Sequence, residues 1–143
     1  MQVQRILASK GSEVTTVAPD TTISDVVAAL AKHRIGAIVV SEDGESIAGI
    51  VSERDVVRRL AKEPETLMKL AVSEIMTTSV YTCGPEDQMD SLMVVMTDKR
   101  IRHVPVLKSD KLIGIISIGD VVKCRLQNLE TENQQLVEYI SGR

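Results

Sequence analysis

One seven-residue pattern occurs twice. Gly49-Ile-Val-Ser-Glu-Arg-Asp55 is followed by Val56-Val57, and Gly114-Ile-Ile-Ser-Ile-Gly-Asp120 by Val121-Val122. Each copy reads glycine, two β-branched residues, serine, two variable positions, aspartate, then a valine pair that opens a helical pattern. This predicts a short buried strand running directly into the first turn of a helix. Serine and aspartate then fall where backbone N–H groups lack partners and the helix dipole favours negative charge. Such a terminus is a ready anion site, and a carboxylate there can also accept hydrogen bonds from a diol. The same spacing describes a capping box, although that motif prefers the longer Glu or Gln at its third position. At the level of the motif both readings stand.

The repeat extends well beyond the motif. Pro19 matches Pro85 and Arg34 matches Arg100 at an offset of 66 residues, while Gly49 and Asp55 match Gly114 and Asp120 at 65. Val3-Gln-Arg-Ile-Leu7 matches Val72-Ser-Glu-Ile-Met76 at 69, which places the length difference near Lys10-Gly11-Ser12. Duplicated units tolerate insertions confined to such loops.

Each copy is expected to fold as β-α-β-β-α. Opening strands are predicted at Val14–Val17 and Val80–Cys83, ending at Pro19 and Pro85. Helices follow, with Ile23, Val26, Val27 and Leu30 in one and Met89, Leu92, Met93 and Met96 in the other, at the spacing of an apolar helical stripe. That spacing assigns the methionines to core. Hairpins of Ala37–Val40 with Ala48–Val51, and of His103–Leu107 with Leu112–Ile116, carry turn signals at Asp43-Gly44 and Ser109-Asp110. Pro64-Glu65-Thr66 restarts a short helix over Glu65–Ala71. The expected organisation is a first repeat over 1–63, a linking helix over 64–71, a second repeat over 72–124 and a C-terminal helical extension over 125–143. Neither repeat is large enough to be comfortable alone, so the two should pack sheet to sheet about a pseudo-twofold axis in an α/β (α+β) fold.

Composition narrows the function. Aromatic residues make up 1% of the chain against 43% hydrophobic residues, so the core must be aliphatic and a base would be gripped by aliphatic walls. A net charge of −3 gives no general attraction to nucleic acid, and no basic stripe or aromatic platform is present. Cys83 and Cys124 lack metal-ligand spacing and, with His33 and His103, form no nucleophile–base set. The expectation is therefore a non-enzyme, with reduced structural cysteines and no metal. No long apolar run or signal peptide opens the chain, which predicts a cytoplasmic protein without membrane association.

The duplicated Gly-x-x-Ser-x-x-Asp with its helix, Ile75-Met-Thr77 before a strand, and Arg100-Ile-Arg-His-Val-Pro-Val106 together resemble a tandem pair of cystathionine-β-synthase (CBS) domains, or Bateman module, from about Val3 to about Lys123. The resemblance implies a regulatory module that binds an adenine nucleotide in clefts between its halves and acts in trans on a separate regulated protein. AMP leads, with ADP, ATP or NAD(H) as alternatives. It implies that Asp55 and Asp120 hold ribose hydroxyls, and that Ser52, Arg54, Ser117, Arg102 and His103 lie near phosphate. Thr16 and Thr82 would line sugar or phosphate, and Ile6, Val14, Ile75 and Val80 would wall the adenine. Arg34 and Arg100 read as helix-end charges. The first copy departs from the pattern, with Gly36-Ala37 in place of the basic pair, which predicts inequivalent clefts. The rival reading is a ligand-free scaffold that dimerises and docks a partner.

The tail adds a separate signal. Val122, Leu126, Leu129, Asn133, Leu136 and Ile140 step by alternating fours and threes, a heptad seam with one asparagine at an a position, which favours a two-stranded pairing. Either the seam joins two copies in a homodimer, or the stripe lies back on its own subunit.

Overall fold

The computed structural model describes residues 1–142; Arg143, the end of the expected tail extension, lies outside them. The chain runs α1 (Val3–Lys10), β1 (Thr16–Val17), α2 (Ile23–His33), β2 (Ala37–Val40), β3 (Gly49–Ser52), α3 (Glu53–Lys62), two 3-10 turns (Leu67–Lys69 and Val72–Glu74), α4 (Met89–Lys99), β4 (His103–Lys108), β5 (Lys111–Ser117) and α5 (Ile118–Ile140).

The paired helices α2 and α4 are built alike. Each buries an apolar stripe, Ile23, Val26 and Leu30 in one and Met89, Leu92 and Met96 in the other; of the residues expected in these stripes, Met93 is only partly buried and Val27 is exposed at the rim. The methionine face is core. Each helix ends on an arginine in the left-handed conformation, Arg34 at φ 53° and Arg100 at φ 54°. This turns the chain sharply into the next strand.

The first copy forms a three-stranded sheet in the order β1-β2-β3, with β1 parallel to β2 (Thr16↔Val39) and β2 antiparallel to β3 (Ala37↔Ser52). The second forms a β4-β5 hairpin (His103↔Ser117) whose turn, Ser109-Asp110, has φ of 51° and 62°. Two consecutive positive φ values match the right-handed twist of the strands. The strand expected at Val80–Cys83 is reduced to one parallel bridge, Cys83↔Val106. The Cys83 N–H donates to Pro105 O at 3.0 Å and the Leu107 N–H to Cys83 O at 2.8 Å. The next donor back along β4 would be the amide of residue 105, and proline has none.

The helix expected over Glu65–Ala71 is also replaced, by the two 3-10 turns. Leu70 and Ala71 are extended (ψ 149° and 144°) because their backbone groups serve α2. Leu70 O accepts the Ile23 N–H at 2.9 Å, and the Val72 N–H donates to Thr21 O at 2.7 Å. The opening segment of the chain does the same for α4: Met1 O accepts the Met89 N–H at 2.9 Å and the Val3 N–H donates to Asp87 O at 2.9 Å.

The two opening segments are thus exchanged. Val3, Ile6 and Leu7 are buried with Met89, Val104, Ile116 and Val121 of the second copy, while Leu67 and Val72 are buried with Ile23, Val26, Ile38 and Val51 of the first. Each copy lends a segment to the other's core, which ties the halves together and sets the clefts between them.

Helix α5 starts on the second core through Val121 and Cys124, and from Leu129 to the end of the described chain every residue is exposed. No helix among the described residues is long and apolar enough to cross a membrane.

Candidate functional site

Both serine–aspartate motifs close as capping boxes. In the first, the Asp55 N–H donates to Ser52 Oγ at 3.2 Å, and Asp55 Oδ2 accepts from the Ser52 N–H at 2.9 Å and the Ser52 hydroxyl at 3.0 Å. In the second, the Asp120 N–H donates to Ser117 Oγ at 3.1 Å and the Ser117 N–H to Asp120 Oδ2 at 2.9 Å. The shorter aspartate arm therefore does reach the cap. Capping uses Oδ2 alone, so Oδ1 of each carboxylate accepts no hydrogen bond among the described residues. Cap and diol acceptor are compatible in one side chain.

Asp55 opens into a cavity of about 520 Å³. Its walls take Ser52, Arg54 and Arg58 from the first copy and Arg100, Arg102 and His103 from the second. The basic pair of one copy thus serves the aspartate of the other. Gly36-Ala37, matched in sequence to Arg102-His103, lies in the same cavity rather than in a separate, charge-poor one. The small residue has a local reason: a Cβ on Gly36 would stand 3.2 Å from Glu53 Oε1 and 3.3 Å from His103 Cε1. Four arginines against Glu53 and Asp55 make this a cationic cleft on an acidic chain. Burial pushes the His103 imidazole below its ordinary value of 6.5, partly opposed by Glu53, so the ring is neutral at pH 7.

Asp120 opens into a smaller cavity of about 270 Å³ with Arg5, Ile6, Lys10 and Lys123 in its walls. Lys10 Nζ lies 2.6 Å from Asp120 Oδ2 and 2.8 Å from Ile115 O. Burial raises the Asp120 carboxyl, but the hydrogen bonds from Lys10 and Ser117 outweigh it and hold the group below its ordinary value.

The CBS domain family matches residues 7–62 and again 72–126. The chain belongs to the CBS domain family. It is 39% identical over 127 residues to the mitochondrial CBS domain-containing protein CBSX3 of Arabidopsis thaliana, covering 86% of this chain and 62% of that longer protein. The CBS-domain protein ATU1752 of Agrobacterium tumefaciens superposes with a TM-score of 0.85 at 42% identity, covering 87% of this chain and 99% of that one. The CBS domain pair of protein MJ0100 has the same fold, with a TM-score of 0.79 at 23% identity, covering 90% and 98%.

Within this CBS pair, the residues singled out from the sequence separate into three groups. Ser52, Arg54, Asp55, Val80, Arg102 and His103 converge on the larger cleft. Ile75 lies beside Asp55 and Arg58 on a shallow depression at its flank. Ile6 and Asp120 share the smaller cleft, with Ser117 capping the same helix. Val14, Thr16 and Thr82 lie outside the lining of both clefts; Thr16 is instead held in the β1–β2 ladder. Sequence reasoning missed Arg58, Tyr81 and Lys10, and took Arg100 only as a helix end. Arg58 was within reach, since it lies four residues after Arg54 on the same helical face. Lys10 was not, because its role depends on the exchange of α1 into the second copy.

Proposed function

We propose that the chain is a regulatory module that binds an adenine nucleotide and acts in trans on a separate protein. The observation that carries this reading is the Asp55 cleft. It combines a carboxylate oxygen left free by the cap with four arginines drawn from both copies, the pairing that a ribose diol joined to phosphates requires. A carboxylate accepts both hydroxyls of a diol, and guanidinium groups present planar donors to phosphate. Val80 and Ile50 give the same cavity an aliphatic wall for a base. The MJ0100 pair was crystallised with 5′-methylthioadenosine and S-adenosyl-L-methionine, two adenosine derivatives, which supports an adenosine-type ligand here.

The charge of the cleft ranks the candidates: ATP and ADP above AMP, and all three above adenosine. NAD(H) carries one negative charge on each of its two esterified phosphates and falls with AMP. A thermal-shift panel over AMP, ADP, ATP, NAD(H) and adenosine on the purified protein tests the reading. Stabilisation that grows with phosphate charge is expected, and a flat panel at millimolar ligand overturns it.

A homodimer is the second part of the proposal. The apolar seam of α5 does not lie back on its own subunit: Leu126 and Leu136 are each 56% exposed. A self-complementary heptad stripe is suited to the same stripe of a second copy.

A further inference from the structure

The two clefts differ at one matched backbone position. In the larger cleft the carbonyl of Ile50, one residue after Gly49, accepts the Thr77 N–H at 2.9 Å, and the Ile50 N–H donates to Thr77 O at 3.0 Å. In the smaller cleft the matching carbonyl, Ile115 O, accepts Lys10 Nζ instead. The cause is the length of the opening segment. The helical turn before Thr77 ends at Glu74, whereas α1 continues to Lys10. An ammonium therefore stands where the first copy has a backbone amide, and the same ammonium pairs with Asp120.

The pairing changes what each aspartate can do. Asp55 Oδ2 is shared by an N–H and a hydroxyl, and a hydroxyl can rotate its proton elsewhere. Asp120 Oδ2 is shared by an N–H and an ammonium, which cannot leave without giving up its counter-charge. A neutral diol can meet Asp120 at Oδ1, but to engage both carboxylate oxygens it must displace Lys10 from Oδ2, and it offers the ammonium nothing in return. A ligand that also carries a phosphate offers the displaced ammonium a new anion, within reach of a flexible four-carbon stem.

We propose that Lys10 is the specificity-determining residue of the Asp120 cleft: it disfavours neutral nucleosides and favours phosphorylated ones. This rests on the adenine-nucleotide reading of the clefts. Arg5 and Lys123 would attract phosphate whether or not Lys10 is present, so the signature of Lys10 lies in the ratio of affinities.

The test isolates the smaller cleft with Asp55→Ala and compares that protein with Asp55→Ala/Lys10→Met and Asp55→Ala/Lys10→Arg by calorimetry against AMP and adenosine. Methionine keeps the aliphatic stem on α1, and thermal melts check that all three remain folded. Lys10→Met is expected to tighten adenosine and weaken AMP, lowering the AMP-to-adenosine preference about tenfold, while Lys10→Arg keeps it. An unchanged ratio, or both ligands shifting together, overturns the proposal. If none of the three variants binds either ligand while the wild type binds nucleotide, the proposal falls alone. If the wild type binds none, it falls together with the nucleotide reading.

Discussion

Gly49 and Met76 meet so closely that a Cβ on the glycine would stand 2.6 Å from Met76 Sδ and 2.8 Å from Thr77 O. The relation is mirrored by Gly114 and Leu7, where a Cβ would stand 2.6 Å from Leu7 Cδ2. The glycine of each signature motif is thus the seat for the segment lent by the other half. The two are not equally tolerant. Leu7 can turn its side chain aside, whereas the Thr77 carbonyl is backbone already paired with Ile50. Gly49→Ala should therefore cost about 2–3 kcal/mol and Gly114→Ala about 1 kcal/mol, within the range for overpacking. Urea unfolding of the two variants checks the order, and a Gly114→Ala cost equal to or above that of Gly49→Ala would contradict it.

Asp55 serves the cap through Oδ2 and is free at Oδ1, so two substitutions should separate the roles. Asp55→Ala should cost about 1 kcal/mol of stability through the lost cap, and weaken nucleotide binding about 10- to 100-fold. Asp55→Asn keeps a cap acceptor and should retain most of the stability while still losing affinity. Calorimetry beside thermal melts reads both quantities. Full affinity in Asp55→Ala would remove this carboxylate from the ligand site.

Arg102 projects from the second copy into the cleft of Asp55, so its removal should act on that site and leave the Asp120 cleft unchanged. Arg102→Ala is expected to weaken ATP more than AMP and to flatten the salt dependence of binding, because exposed charges are screened over about 8–10 Å at ordinary ionic strength. Titrations at low and high salt decide it. Equal losses at both clefts would mean that the arginine acts through the fold.

What could be read in the sequence follows the range of the interactions. The duplicated motifs, the helical stripes and the Ser109-Asp110 turn depend on residues close in the chain, and all were legible. Pro105 was visible too, but its consequence was not, since the strand it shortens lies some twenty residues upstream. The linking segment failed as a helix because Leu70 and Ala71 satisfy the start of α2, a long-range demand that propensity does not register. Convergence of Arg102-His103 on Asp55 follows from the packing of one half against the other, and closure of Asp120 by Lys10 from the exchange of segments between them. No local pattern encodes either.

His103 provides a pH signature. Burial lowers its pKa from 6.5, with Glu53 and Asp120 raising it and Lys10 and Arg102 lowering it. Its folded value lies below its unfolded value, so the unfolded chain binds the proton first. The contribution of His103 to stability is fully present above pH 6.5 and is lost as pH falls through 6.5 toward the folded value. A phosphate bound nearby reverses the shift and draws a proton onto the ring. Nucleotide binding near pH 6 should therefore take up protons, seen as a dependence of calorimetric enthalpy on the ionisation enthalpy of the buffer. His103→Gln should abolish that dependence, and persistence of the uptake in the variant would assign it to another group.

Along α5, Val122, Leu126, Leu129, Leu136 and Ile140 are 46%, 56%, 44%, 56% and 74% exposed, a stripe about 27 Å long at 1.5 Å per residue. Asn133 stands at an a position within it, where a lone amide fixes register and favours two strands at some cost in stability. Under three heptads cannot hold a strong coiled coil alone, so the seam is expected to work with further contacts between paired modules. Deleting residues from Asn128 onward removes most of the stripe and leaves Val121 and Cys124 seated in the core. The truncated protein should shift toward monomer in light scattering across a dilution series, with its thermal unfolding little changed at high concentration. An unchanged dimer after the deletion would show that the modules associate without the tail and that the stripe serves another surface.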